Sequence, residues 1–61
     1  MPWYRCEARG TAFAATRFVE ADGAETAAST VRRSLGRELV RRGASPLNAE
    51  EMVSIQQVRR I

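Results

Sequence analysis

A chain of 61 residues with ten arginines, seven acids and neither lysine nor histidine has room for one thin core and no deep cleft, because a chain this short buries only about 60% of the surface its unfolded form exposes. Without an imidazole base, and with no serine, cysteine or aspartate partnered for nucleophilic attack, catalysis is not expected; the scattered carboxylates and the four glycines match neither an acid pair in a cleft nor a phosphate-cradling loop. The single cysteine, Cys6, excludes an internal disulfide and a cysteine metal cluster, and no cofactor or metal is expected; with no leader pattern and no long apolar run, the reading is one domain over residues 1–61, starting at Met1, without membrane contact and placed in a reducing cytoplasm.

Trp3 to Arg9 and Ala12 to Ala21 carry aromatic and β-branched residues toward their outer ends, with Arg-Gly-Thr-Ala between them. This reads as a hairpin with a two-residue type II′ turn at Gly10 and Thr11. That turn sets Arg9 against Ala12, Cys6 against Ala15, Tyr4 against Arg17 and Trp3 against Phe18. Alternation then sorts the side chains. Tyr4, Cys6, Ala8, Phe13, Ala15, Val19 and Ala21 form the core face, with Arg17 as its only charge. Trp3, Arg5, Glu7, Arg9, Thr16, Phe18 and Glu20 form the other face. Cys6 reads as a small buried hydrophobe; the competing reading is a redox-sensitive thiol whose pKa is lowered by Arg5 and Arg17.

Asp22-Gly-Ala-Glu25 has the form of a capping box opening a helix. Ala24, Ala27, Ala28, Val31, Leu35 and Leu39 share one stripe of that helix at 100° per residue, and Gly43 suits a left-handed C-terminal cap with Arg41 and Arg42 near the negative end of the dipole. Gly36 in its middle reads as a soft point costing about 1 kcal/mol relative to alanine. Ala44 to Met52 is a connector with Pro46 as punctuation and a short capped turn at Asn48 to Glu51. In the tail, Val53 and Ile55 alternate as in a strand, while Met52, Ile55 and Val58 recur every three residues as in a helix. A two-stranded hairpin needs a third strand, which favours the strand. The expected fold is α+β: a three-stranded antiparallel sheet in the order β-β-α-β, with the first strand central and one helix packed on one face.

The whole charge excess lies between Gly23 and Gly43, where five arginines meet only Glu25 and Glu38. Concentrated basic charge attracts phosphates or acidic proteins, although arginine used to the exclusion of lysine in an alanine-rich chain is equally what a GC-rich genome produces. Arg33, Arg37 and Arg41 recur every four residues and make a stripe away from the apolar face. Glu38 is expected to pair with Arg41 or Arg42 and quench part of it. Trp3 and Phe18, flanked by Arg5, form the second candidate surface, since aromatic area beside guanidinium donors suits an interface centre or the stacking of unpaired bases. The candidate partner-binding residues are thus Arg33, Arg37, Arg41, Trp3, Phe18 and Arg5.

The run Arg-Phe-Val-Glu-Ala-Asp-Gly-Ala-Glu-Thr-Ala-Ala-Ser-Thr-Val-Arg-Arg-Ser-Leu, residues 17–35, followed later by Val-Ser-Ile-Gln-Gln-Val, resembles a pattern of small phage and mobile-element proteins: a strand ending in a Val-Glu-Ala-Asp-like segment, an alanine-rich helix and a last strand. Anti-CRISPR proteins, single-domain inhibitors that occupy a surface of an effector complex, are among proteins of that style. The resemblance implies a stoichiometric, cofactor-free inhibitor that binds a host protein assembly in the host cytoplasm. The alternative expectation is a small basic nucleic-acid-binding protein using the arginine stripe, and the third is a homodimer that buries Trp3 and Phe18.

Overall fold

The computed structural model describes residues 1–61. Along strand β1, Trp3–Arg9, the buried residues are Tyr4, Cys6 and Ala8, and the intervening side chains take the other face. β1 pairs antiparallel with β2, Ala14–Glu20, on one side and with β3, Ser54–Arg60, on the other, giving the order β2-β1-β3 with the first strand central. The 18-residue helix α1, Ala24–Arg41, packs against one face of this sheet. This is the expected α+β fold.

The hairpin differs from expectation in its turn. Arg9 pairs with Ala14 rather than Ala12, so residues 10–13 form a four-residue loop, closed by the Gly10 amide donating to the Phe13 carbonyl at 2.9 Å. The cause is the Phe13 ring, which lies over Gly10 so closely that a Cβ there would collide with it. Phe13 thus reaches the core from the loop and not from the strand. The displacement is two residues, one full strand period, and every strand side chain keeps its face.

β3 explains the competing periodicities of the tail. Below the sheet's midpoint Arg9 faces Ser54 and Ala8 faces Ile55; above it Glu7 faces Gln57 and Cys6 faces Val58, with the register shifting between Glu7 and Ala8. Gln56 is the extra residue of a β-bulge. The bulge turns both Ile55 and Val58 toward the core although they stand three apart. The helix-like spacing is a strand with one residue inserted.

Three local expectations for the helix fail and one holds. No capping box forms: the N-cap is Gly23, in extended backbone and without a side-chain cap, so Asp22 stands one residue too early and Glu25 lies one position short of the reciprocal site. The chain is still in the sheet at Ala21, whose amide donates to the Pro2 carbonyl at 3.0 Å. At the other end the Gly43 amide donates to Val40 and the Ala44 amide to Leu39, at 3.0 and 2.9 Å, with Gly43 at φ 107°. This is a Schellman closure, where only glycine is free of strain. Ala24 is exposed, leaving Ala27, Val31 and Leu35 as the buried stripe. The short turn after the connector is a single 3-10 turn, Glu50–Met52, with Ala49 and not Asn48 as its uncapped start.

Gly36 is a close contact and not a soft point. It is buried, and a Cβ on it would stand 2.9 Å from Glu50 Cγ and 3.4 Å from the Glu50 backbone. The missing side chain is what lets the 3-10 turn seat on α1. Gly36→Leu is therefore expected to lower stability by roughly 1–3 kcal/mol by overpacking this junction, although leucine is the better helix former; thermal unfolding followed by circular dichroism checks the sign.

Candidate functional site

The sheet has one covered face and one bare face, and the bare one holds the largest exposed apolar groups of the regular structure. Trp3 is 50% and Phe18 59% exposed. The observed register places Phe18 opposite Arg5 and Trp3 opposite Glu20, so the two aromatics are diagonal neighbours on this face rather than a directly opposed pair. On the other side of β1 the Ile61 amide donates to the Trp3 carbonyl at 2.9 Å, which extends the β1–β3 register and puts Ile61, 69% exposed, beside Trp3. One row thus reads Glu20, Trp3, Ile61, and the next Phe18, Arg5, Arg59.

Arg5 and Arg59 are cross-strand partners of like charge, an arrangement that destabilises a sheet unless it is relieved. Relief comes from the third row. Arg5 Nη1 donates to Glu7 Oε2 at 2.9 Å. Gln57, opposite Glu7, bridges onward when its amide nitrogen donates to Glu7 Oε2 at 2.9 Å and its oxygen accepts from Arg59 Nε at 3.1 Å. Both guanidiniums are held in place next to the apolar row. Ile61, Arg59 and Gln57 were not picked out from the sequence. Alternate residues back from the terminus would have put all three on this face had Gln56 been recognised as a bulge.

Cys6 lies on the opposite, covered face and is fully buried. Burial pushes its thiol pKa up, so the reading in which Arg5 and Arg17 activate it is overturned: Arg5 is on the other side of the sheet and Arg17 is turned to Glu38. The folded chain holds the thiol proton to higher pH than the unfolded chain does. The stability this contributes is full below the unfolded pKa and is lost as pH rises through the folded one. Alkylation of Cys6 at neutral pH is expected to proceed only through opening of the sheet, so its rate should rise with urea in step with unfolding; fast alkylation of the native chain would contradict this placement.

The arginine row lies in the helical layer, on the far side of the sheet from Trp3, Phe18 and Arg5. The six candidate residues therefore form two separate surfaces. Glu38 does not pair with Arg41 or Arg42. It accepts from Arg17 Nη2 at 3.2 Å, across the helix–sheet junction. The two ion pairs of the structure are Arg5–Glu7 and Arg17–Glu38, so Arg32, Arg33, Arg37 and Arg41 of the helix, and Arg42 just after it, are without an acidic partner. Arg33, Arg37 and Arg41 are exposed along one side of a shallow groove of about 560 Å³ between the second half of α1 and the connector.

No three carboxylate or thiol side chains converge in a way that would hold a metal ion, and no helix is long and apolar enough to cross a membrane. No protein-family model matches the chain, and no curated protein or solved structure is detectably similar to it.

Proposed function

We propose that this chain is a non-enzymatic interaction module that docks on a protein assembly through the bare face of its sheet. The observation that carries the reading is the row Trp3–Ile61 with Phe18 beside it, apolar and half or more exposed, bordered by Arg5 and Arg59 whose guanidiniums are held by Glu7 and Gln57. Aromatic anchors next to fixed arginines, with polar groups around them, are the composition of interface centres. A single helix covers one face, and the other has no cover within the chain. The inhibitor role, in which the module acts by occupying a surface of a host effector complex, rests on the resemblance of residues 17–35 to small phage proteins.

The test is affinity capture from host lysate with the parent chain and with a Trp3→Thr, Phe18→Thr variant, run beside sedimentation of the free chain. A stoichiometric partner that the parent retains and the variant loses supports the reading. A partner retained equally by both overturns it. A chain that is dimeric until the two aromatics are replaced assigns the face to a second copy instead. The nucleic-acid expectation draws support from the unpaired arginines of α1, but the same groove holds the carboxylate of Glu50 and an apolar floor.

A further inference from the structure

The arginine groove is a second surface, and its lining specifies an occupant. One rim is Arg33, Arg37 and Arg41, one helical turn apart. Successive members are separated by about 6 Å along the axis and the row spans about 12 Å. The floor, where the helix meets the connector, is Gly36 and buried Ala49, with Val40 and Pro46 beside it. Glu50 closes the opposite side, its Cγ seated against Gly36. None of the three arginines has an acidic partner within the chain.

We infer that this groove binds a short acidic peptide segment of a protein partner, in extended form, with acidic and apolar residues alternating. An extended chain advances about 3.3 Å per residue, so acids at every second position recur at about 6.6 Å and match the arginine spacing. Five residues, with acids at the first, third and fifth, span about 13 Å and cover the row. The intervening side chains then turn away from the arginine rim toward Pro46 on the connector side, and backbone amides are free to donate to Glu50. A nucleic-acid strand meets the three arginines equally well but fits the rest poorly. Its phosphodiester backbone has no donor for Glu50, which repels it, and makes no use of an apolar floor. The groove is in the helical layer and the bare sheet face is not, so this inference is independent of the docking reading for Trp3 and Phe18.

The experiment is fluorescence anisotropy at low salt with the full chain and four probes: a labelled peptide with a Glu-Leu-Glu-Leu-Glu core, the same peptide with glutamine for glutamate, the same with serine for leucine, and a short DNA in single- and double-stranded form. The Glu-Leu peptide is expected to bind, the glutamine peptide to show no binding, and the serine peptide to bind several-fold more weakly. Arg37→Glu is expected to weaken the Glu-Leu peptide at least about tenfold, while Trp3→Thr with Phe18→Thr leaves it unchanged. Exposed Arg37 makes no contact that the fold needs, and unchanged circular dichroism of that variant verifies this. Tighter binding of DNA than of the Glu-Leu peptide, lost in Arg37→Glu, would overturn the peptide assignment in favour of nucleic acid. Equal binding of the Glu-Leu and serine peptides, or no effect of Arg37→Glu, would overturn the groove itself.

Discussion

Leu35→Ala is expected to leave little folded protein. The core consists of eight buried residues, of which Ala8, Ala21, Ala27 and Cys6 are small. Tyr4, Val31, Leu35 and Val53 are its large members, with Phe13, Val19, Leu39, Ile55 and Val58 packed partly buried against it, and Leu35 sits at 4% exposure in the helix stripe that faces the sheet. Truncating a buried leucine costs about 2–5 kcal/mol, the larger figures where the site cannot collapse. A core in a chain of this size yields only about 3–5 kcal/mol in total, so one truncation consumes most of the margin. Urea titration followed by circular dichroism is expected to show the variant at least half unfolded without denaturant. A cooperative transition at the parent's midpoint would mean that Leu35 is not where the structure puts it. Glu38→Gln makes a useful contrast: it removes the half-exposed pair with Arg17, and such pairs contribute about 1 kcal/mol or less.

Trp3→Thr with Phe18→Thr is expected to do the reverse, sparing the fold and removing the partner. Both side chains are at least half exposed on the bare face and make no part of the core cluster. Threonine keeps the β-branched preference for strand, so the unfolding midpoint should stay close to the parent's or rise. If the face is the docking surface, each aromatic is an anchor whose removal costs about 2 kcal/mol or more, roughly thirtyfold in affinity apiece. Because the losses of neighbouring anchors do not simply sum, the pair should lower affinity by about two to three orders of magnitude. Titration calorimetry with the captured partner measures the loss. A change of less than about threefold would remove both residues from the interface.

The architecture was legible because the sorting of faces survives errors of two residues. The hairpin turn was misread, since nothing in Arg-Gly-Thr-Ala shows that the Phe13 ring will fold back on Gly10, yet Tyr4, Cys6 and Ala8 are buried as the alternation required. What failed were choices decided by partners distant in sequence. Glu38 has Arg41 and Arg42 within local reach and takes Arg17 from the second strand. Gly36 reads as a helix defect until Glu50 is seen against it. Ile55 and Val58 look helical until the bulge at Gln56 is known. For the candidate surfaces, Trp3, Phe18 and the arginine row are exposed, while Arg5 is half-buried in its pair with Glu7. The sequence set them on two surfaces, the helix and the open sheet face, but did not add Ile61, Arg59 and Gln57, which depend on the register of the last strand.

The docking role of the bare sheet face is tested most directly at Trp3, the only tryptophan of the chain. Incorporation of fluorotryptophan into this chain alone gives one fluorine resonance, reporting that face whatever tryptophans the partner has. On binding the captured partner, the resonance is expected to shift and to lose its sensitivity to solvent deuteration as the indole leaves water. A resonance with the same position and the same solvent sensitivity in the free and bound chain would show that the partner sits elsewhere and would contradict the assignment of the bare face as the docking surface.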